Sequence, residues 1–115
     1  MHAWVTQLRK GLVDLCVLAV LRSKEAYGYQ IVEELQHYAN LELTESTVYP
    51  VLTRLTREKL LSVRTESSPS GPPRRYYRFT AEGQARYAQM IQRWNALQES
   101  VEKLIQEKFN DRDDR

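Results

Sequence analysis

The residues best suited to bind another molecule lie in the stretch from Thr44 to Thr80. A predicted helix from Thr44 to about Lys59 carries hydroxyl, phenol and guanidinium groups away from its apolar stripe, namely Ser46, Thr47, Tyr49, Arg54 and Arg57. Such groups hydrogen-bond to phosphate oxygens and to base edges. Arg74 and Arg75 follow on the returning arm of a predicted hairpin, where they can neutralise further phosphates. Together they favour a nucleic-acid surface; the alternative is an ordinary solvated helix face beside a basic turn.

The distribution of charge supports the same stretch. The whole chain carries a net charge of only +2, which by itself indicates no particular partner. Residues 44–80 nevertheless hold seven Lys/Arg against three Asp/Glu, whereas residues 1–43 hold four against five and residues 81–115 six against seven. A positive excess confined to the middle third is typical of a phosphate-facing patch on a nearly neutral protein, although chance clustering of solvated arginines gives the same count.

Apolar spacing predicts the elements that position these side chains. Large apolar residues at three-to-four spacing predict helices over residues 5–22, 27–38 and 44–59. Alternating residues predict strands over 61–66 and 74–80, separated by a turn rich in serine, glycine and proline. Helix, short helix, helix and two-stranded hairpin is the order of a winged helix-turn-helix, in which the third helix enters the major groove. The predicted fold class is therefore mainly α with a small β-hairpin.

A last predicted helix over residues 81–109 carries large apolar side chains that step by three and four positions, namely Tyr87, Met90, Trp94, Leu97, Val101 and Leu104. This set, called the seam below, has the 3.5-residue period of a left-handed helix pair. So small a domain cannot cover it, so a second copy is expected to, with Trp4 closing the interface over the partner's last helix. The alternative is a helix folded back on its own domain. The predicted parts are a winged helix-turn-helix domain at 1–80, a dimerisation helix at 81–109 and a disordered tail at 110–115.

The sequence offers no catalytic set, metal site or cofactor motif. His2 and His37 are isolated from Cys, Asp or Glu at metal-ligand spacing, and there is no glycine-rich phosphate loop. We therefore expect neither an enzyme nor a bound cofactor. No apolar run could span a bilayer and the first residues lack the order of a secretory signal, so a cytoplasmic protein without membrane contact is expected. Cys16 is expected to be a buried thiol; a redox sensor is the alternative.

Three segments resemble the PadR family of bacterial transcriptional regulators: YGYQI at 27–31, TESTVYPVLTRLTREKLL at 44–61 and RRYYRFTAEG at 74–83. The likeness covers about residues 8–83, and the single last helix resembles the compact subgroup that has no separate C-terminal domain. The resemblance implies a dimeric winged-helix repressor, which we expect to bind a pseudo-palindromic operator in double-stranded DNA. It implies DNA contacts from Tyr27 and Pro50 in addition to those of Ser46, Thr47, Tyr49, Arg54, Arg74 and Arg75.

Trp94 has two interpretations. By its seam position it is a packing residue, but compact family members that sense drugs have a tryptophan at the matching place that stacks on an aromatic ligand in a pore at the dimer centre. The position one turn on is acidic in those sensors and is Gln98 here, and bulky Met90 lies one turn before, which disfavours a cationic ligand. We therefore expect a repressor that a small aromatic ligand could relieve; the rival function is a protein-binding winged-helix adaptor that does not contact DNA.

Overall fold

A computed structural model describes residues 2–113, with side chains through residue 111, and has a mainly helical fold with one small antiparallel sheet. The elements follow in the order α1 His2–Val20, β1 Ala26–Tyr27, α2 Gly28–Gln36, a 3₁₀ turn Ala39–Leu41, α3 Glu45–Arg57, β2 Leu61–Ser68, β3 Gly71–Phe79 and α4 Ala81–Asp113. This order confirms the predicted fold class. It adds β1, which is only two residues long and therefore leaves no alternating pattern in the sequence.

The core lies where α1, α2 and α3 meet the base of the sheet. Its most deeply buried side chains come from these three helices and the start of β2, namely Val17, Leu18, Ile31, Val32, Val48, Leu52, Leu55 and Leu61. Burying each such side chain contributes about 1.5–3 kcal/mol. The first helix packs against α2, α3 and α4 alike. It is therefore the element on which both the small domain and the last helix are seated.

Strand β3 is central in the sheet, whose order is β1–β3–β2. β2 pairs with β3 along nearly its whole length, whereas β1 pairs with it at Tyr76 and Tyr77 alone. The two long strands extend into the turn predicted over 67–73, so Pro69 and Ser70 form the connection. The two prolines that follow lack a backbone N–H, but they lie where β3 has β2 as its one neighbour, and proline is tolerated at such an edge.

Helix α3 begins after Thr44, which occupies the N-cap position without the side-chain hydrogen bond that a threonine can make there. The Thr44 hydroxyl lies 3.0 Å from the Ser46 hydroxyl and makes no capping bond. The Thr44 carbonyl instead accepts the backbone N–H groups of Thr47 and Val48 at 3.1 and 2.9 Å. Thr44 is therefore the N-cap residue by position, while its hydroxyl pairs with Ser46. Glu45 in the first turn still complements the positive end of the helix dipole.

Helix α4 begins after Thr80, whose hydroxyl caps its first turn. The Gly83 N–H donates to the Thr80 hydroxyl oxygen over 3.0 Å, and the Thr80 N–H donates to the Leu60 carbonyl over 3.1 Å. A Cβ atom on Gly83 would lie 1.9 Å from that same carbonyl oxygen. Glycine at this position therefore lets the first turn of α4 rest directly on the backbone that leads into β2.

Helix α4 is longer than predicted. It has 33 residues, about 50 Å at a rise of 1.5 Å per residue. It continues to Asp113, past the end predicted at residue 109 and into the predicted tail, whereas residues 114 and 115 lie outside the described part. A charged composition does not end a helix whose last turns face solvent. Lys108 and Asp111, 3.9 Å apart at i and i+3, are compatible with its continuation.

Candidate nucleic-acid interface

The exposed face of α3 carries most of the helix residues predicted to contact DNA. Val48, Leu52 and Leu55 are buried in the core, which turns the opposite face outward. The exposed residues of α3 include Ser46, Thr47, Tyr49, Pro50, Thr53 and Arg57. Among the residues whose side chains are described, Arg57 has no ion-pair partner. Its charge is therefore available to a phosphate.

A close approach between α2 and α3 positions Tyr49. A Cβ atom on Gly28, the first residue of α2, would lie 2.5 Å from a ring carbon of Tyr49. The glycine therefore allows the tyrosine ring to lie across the start of α2. Partial burial is the main cause that raises the pKa of the Tyr49 phenol, and Glu45 raises it further. The phenol stays protonated at neutral pH and can donate a hydrogen bond.

The wing, which consists of β2, β3 and their connection, is tied to the start of α2 by stacked aromatic and guanidinium groups. The Arg74 guanidinium lies 4.5 Å from the centre of the Tyr27 ring. That ring meets Tyr76 edge-on, with 5.5 Å between ring centres, and the Arg64 guanidinium lies 4.5 Å from the centre of the Tyr76 ring. Cation–π and edge-to-face contacts of this kind are attractive. Tyr27 thus holds Arg74 as well as being a predicted DNA contact.

The arginines of the wing differ in their electrostatic partners. Arg64 donates to both carboxylate oxygens of Glu25, with Nη2–Oε1 at 2.5 Å, and to Glu66 at 3.0 Å. The hydrogen bond from Arg64 lowers the pKa of the Glu25 carboxyl, which therefore stays ionised. Arg74 and Arg75 have no carboxylate partner within the part of the chain whose side chains are described. Arg78 on β3 has none there either and donates to the Ser62 hydroxyl over 3.4 Å, so the positive excess of the wing is carried by these three residues.

A groove of 690 Å³ separates α3 from the wing and joins several of the predicted contacts. Its lining, which defines the α3–wing groove, includes Tyr27, Tyr49, Thr53, Ser70, Arg74 and Arg75. Four predicted residues from three separate elements, β1, α3 and β3, therefore face a single concave, basic and aromatic surface. Ser46, Thr47 and Pro50 lie on α3 outside this lining. Thr53, whose hydroxyl also donates to the Tyr49 carbonyl over 3.1 Å, is an added member.

Arg54 lies apart from the other predicted DNA residues. Its Nη2 atom is 2.5 Å from Asp14 Oδ1 on α1, and its Nη1 atom is 3.4 Å from Glu58 on its own helix. The hydrogen bond to Asp14 is the main cause that raises the pKa of Arg54. Its guanidinium is therefore engaged within the chain. Sequence spacing places Arg54 outside the apolar stripe but does not reveal the carboxylate on another helix.

The seam divides into a covered and an uncovered half. Tyr87 and Met90 are half-buried against the chain's own core, with Tyr87 5.6 Å from the Phe79 ring. The second half is more than half exposed, namely Leu97, Val101 and Leu104, together with the flanking Ile105 and Phe109. Trp4 on α1 is also exposed, at 63%. The far half of α4 and the start of α1 therefore both present open apolar surface.

Trp94 lies at the border between the two halves of the seam. It is half-buried and lines a groove of 610 Å³ between α1 and α4, called the α1–α4 groove. The other lining residues are Gly11, Leu12, Leu15, Arg86, Gln89, Met90, Gln92, Arg93 and Leu97. A tryptophan face beside aliphatic side chains suits a flat apolar group.

Other kinds of site find little support within the described residues. No group of three or more His, Cys, Asp or Glu side chains lies close enough there to hold a metal ion. Cys16 is half-buried rather than fully buried as predicted, and burial raises the pKa of its thiol. A raised pKa lowers the thiolate fraction and with it the reactivity. Among residues 2–113, no helix has the length and apolar character needed to cross a membrane.

The order of elements and the basic wing beside α3 define a winged helix-turn-helix DNA-binding protein. The transcriptional regulator PadR-like family model matches residues 17–89, and the chain belongs to this family of transcriptional regulators. A PadR-like transcription factor of Bacteroides fragilis is 36% identical, with 86% of this chain and 95% of that one covered and a TM-score of 0.74. A PadR family regulator of Eggerthella lenta is 34% identical, with 90% of each chain covered and a TM-score of 0.80.

A structure of Bacillus subtilis PadR in complex with operator DNA shares the fold at 23% identity and a TM-score of 0.63. The likeness covers 70% of this chain and 46% of that protein.

Proposed function

We propose that the protein is a homodimeric repressor that binds a pseudo-palindromic operator through α3 and the wing. The observation that carries this proposal is the α3–wing groove, where Tyr49 of α3 and the unpaired Arg74 and Arg75 of the wing face one concave surface. A concave surface of this charge fits the sugar-phosphate backbone next to a helix seated in the major groove. The Bacillus subtilis relative solved with operator DNA supports the same class of partner.

The two parts of the interface have different tasks in this proposal. Ser46, Thr47 and Tyr49 at the start of α3, the recognition helix, reach base edges, where hydroxyl groups donate and accept hydrogen bonds. Pro50 supplies an apolar contact on the same face. Arg57, Arg74, Arg75 and Tyr27 position the protein on phosphates and sugars, which carry little sequence information.

The exposed far half of the seam supports a dimer. Monomeric proteins rarely leave several neighbouring leucine, isoleucine and phenylalanine side chains in water. A two-fold pair would cover Leu97, Val101 and Leu104 with the partner's last helix and give Trp4 a surface to pack on. It would also place two recognition helices about one turn of DNA apart, about 34 Å, which requires two half-sites of opposite direction.

A salt titration separates this function from a protein-binding adaptor. Affinity for duplex DNA should fall steeply with salt, because each phosphate contact releases counterions and contributes about 0.9 to the slope of log affinity against log salt. Replacing Arg74 and Arg75 together with alanine should lower that slope by about 2 per protomer. The measurement is fluorescence anisotropy with operator and random duplexes.

The matched control removes the same charge elsewhere: Lys10→Ala with Lys103→Ala, both exposed and outside the α3–wing groove. It should leave the slope within about 0.5 of the wild type, because neither lysine meets a phosphate. An unmodified protein that shows no salt-dependent binding to any duplex would instead be an adaptor.

A second part of the proposal assigns the α1–α4 groove to a small aromatic ligand that stacks on Trp94 and relieves repression. Its volume of 610 Å³ lies within the range of pockets for small molecules. Leu12 and Leu15 supply an apolar wall opposite the indole. The alternative is that a partner side chain fills the groove and Trp94 only packs.

Tryptophan fluorescence tests this assignment. The chain has two tryptophans, so Trp4→Phe leaves Trp94 as the single reporter. Planar aromatic compounds that release the protein from its operator should quench this emission at the same concentrations, and Trp94→Ala should raise the required concentration about tenfold or more, since aromatic stacking and burial are lost. If every compound leaves both the emission and the operator affinity unchanged, Trp94 is a packing residue.

A further inference from the structure

The ion pair between Asp14 and Arg54 joins α3 to α1, the helix against which α2 and α4 also pack. Arg54 Nη2 lies 2.5 Å from Asp14 Oδ1, across 40 positions of sequence. The two side chains are 36% and 33% exposed, so water screens the pair less than it screens charges on the open surface. Because α1 also packs against α4, α1 links the last helix to the recognition helix, and the pair is a polar contact on the α3 side of that link.

A direct DNA contact by Arg54 would require this pair to open. The guanidinium would leave the carboxylates of Asp14 and Glu58, and Asp14 would remain two-thirds covered without its partner. An ionised group left unpaired in such a place is destabilising. Arg57, Arg74 and Arg75 can reach phosphate without breaking any ion pair among the described side chains. The charges best placed to bind DNA are therefore theirs.

We infer that Arg54 is a positioning residue whose pair with Asp14 sets the tilt of the recognition helix on α1, rather than a reader of bases or phosphates. This inference rests on the proposed DNA-binding function. In this inference, α3 and α4 are both positioned by their contacts with α1. A shift at the contact between α1 and α4 is then passed to the recognition helix through α1, with this pair as the polar link beside the shared apolar core.

The test uses the full chain and an operator duplex that the wild-type protein itself selects from a random pool. Asp14→Asn breaks the pair at unchanged side-chain size. We expect operator affinity to fall about tenfold, although loss of a negative charge by itself favours DNA binding. Arg54→Gln should lower the affinity by a similar factor. The double variant should lose no more than either single variant, because all three remove one link.

Glu58→Gln is the matched control, because it takes a carboxylate from the same guanidinium but within α3. Its operator affinity should stay within about twofold of the wild type, as for an exposed i,i+4 pair.

The salt slope of the Asp14 and Arg54 variants supplies a second readout. A lost phosphate contact lowers it by about 0.9, whereas a lost positioning pair leaves it unchanged. The affinity of Asp14→Asn for random duplex should not fall, whereas a merely less stable fold would lower it together with the operator affinity.

The inference is overturned if Asp14→Asn binds the operator as tightly as the wild type or more tightly. It is equally overturned if Arg54→Gln lowers the salt slope by one phosphate contact. Failure of the proposed function looks different, since the wild-type protein would then select no duplex and show no salt-dependent binding. The positioning role would fall with it.

Discussion

Replacing Leu97 and Leu104 together with lysine should convert the protein to a monomer and abolish tight operator binding. In the single chain the two side chains are 62% and 57% exposed, and the proposed dimer covers both. Two-fold symmetry places each substitution in the interface twice, so four ammonium groups would lose water without a partner. We expect the dissociation constant of the dimer to rise by about three orders of magnitude, on the order of 4 kcal/mol. A monomer that holds one half-site should lose at least about a hundredfold in operator affinity.

The matched control is Asn95→Lys with Gln106→Lys, exposed positions on the opposite face of α4. It adds the same charge, and lysine is a good helix former, so the variant should sediment and bind DNA like the wild type. Added lysines favour DNA binding, so a loss confined to the seam variant has to come from the lost dimer. Equal sedimentation of both double variants at micromolar concentration would contradict the proposed interface.

Gly83→Ala should lower the free energy of unfolding by about 2–4 kcal/mol. The new Cβ would lie 1.9 Å from the Leu60 carbonyl oxygen and 2.9 Å from its carbon, and both are backbone atoms that no rotamer change can move. The first turn of α4 would have to lift away. That shift would also break the hydrogen bond from the Thr80 N–H to the same carbonyl and weaken the cap at Gly83. Urea unfolding should show a lower midpoint at an unchanged slope.

Gly11→Ala is the matched control, in which the same substitution should raise the free energy of unfolding instead of lowering it. Gly11 lies inside α1, and no heavy atom lies within 4 Å of the Cβ position apart from its own helix backbone and chain neighbours. Alanine there should stabilise the protein by about 0.5–1 kcal/mol, because it restricts the unfolded chain and favours helix. Both variants are compared at one protein concentration, since dimerisation shifts apparent stability. A Gly83→Ala variant as stable as the wild type would mean that α4 does not rest on Leu60.

Local periodicity was sufficient to predict the four helices and the two long strands, but not the two-residue β1. Val48, Leu52 and Leu55 repeat at helical spacing and are all buried, so the outward face of α3 follows from the sequence alone. Tyr77 alternates with polar neighbours and faces the core, so the returning strand was also predictable. The ends of the helices and strands were less predictable. The turn over 67–73 and the tail at 110–115 both look irregular in composition, yet strand pairing and helix continuation extend into them.

The contacts between distant residues could not be predicted from local patterns. Arg54 has the composition of a DNA contact, and only the packing of α1 against α3 reveals Asp14 beside it. Arg64 belongs to the positive excess, yet Glu25 neutralises it from 39 positions away. In the seam, the period does not say which half the chain covers itself. Tyr87 packs on Phe79 because α4 starts directly after β3, at the Thr80 cap, and runs past the end of that strand. Only the fold shows this contact.

The length of α4 makes the proposed repressor sensitive to very small rotations. Val101 lies 20 residues from Ala81, since 101 − 81 = 20, and this is about 30 Å along the helix. A tilt of about 6–7° around Val101 therefore displaces the start of α4, and the winged domain attached to it, by about 3.4 Å, the rise of one base pair. An angular change of that size needs no more than a few side chains to repack where the two helices cross. The crossing angle would then decide whether the separation of the two recognition helices matches the spacing of the two half-sites in the operator.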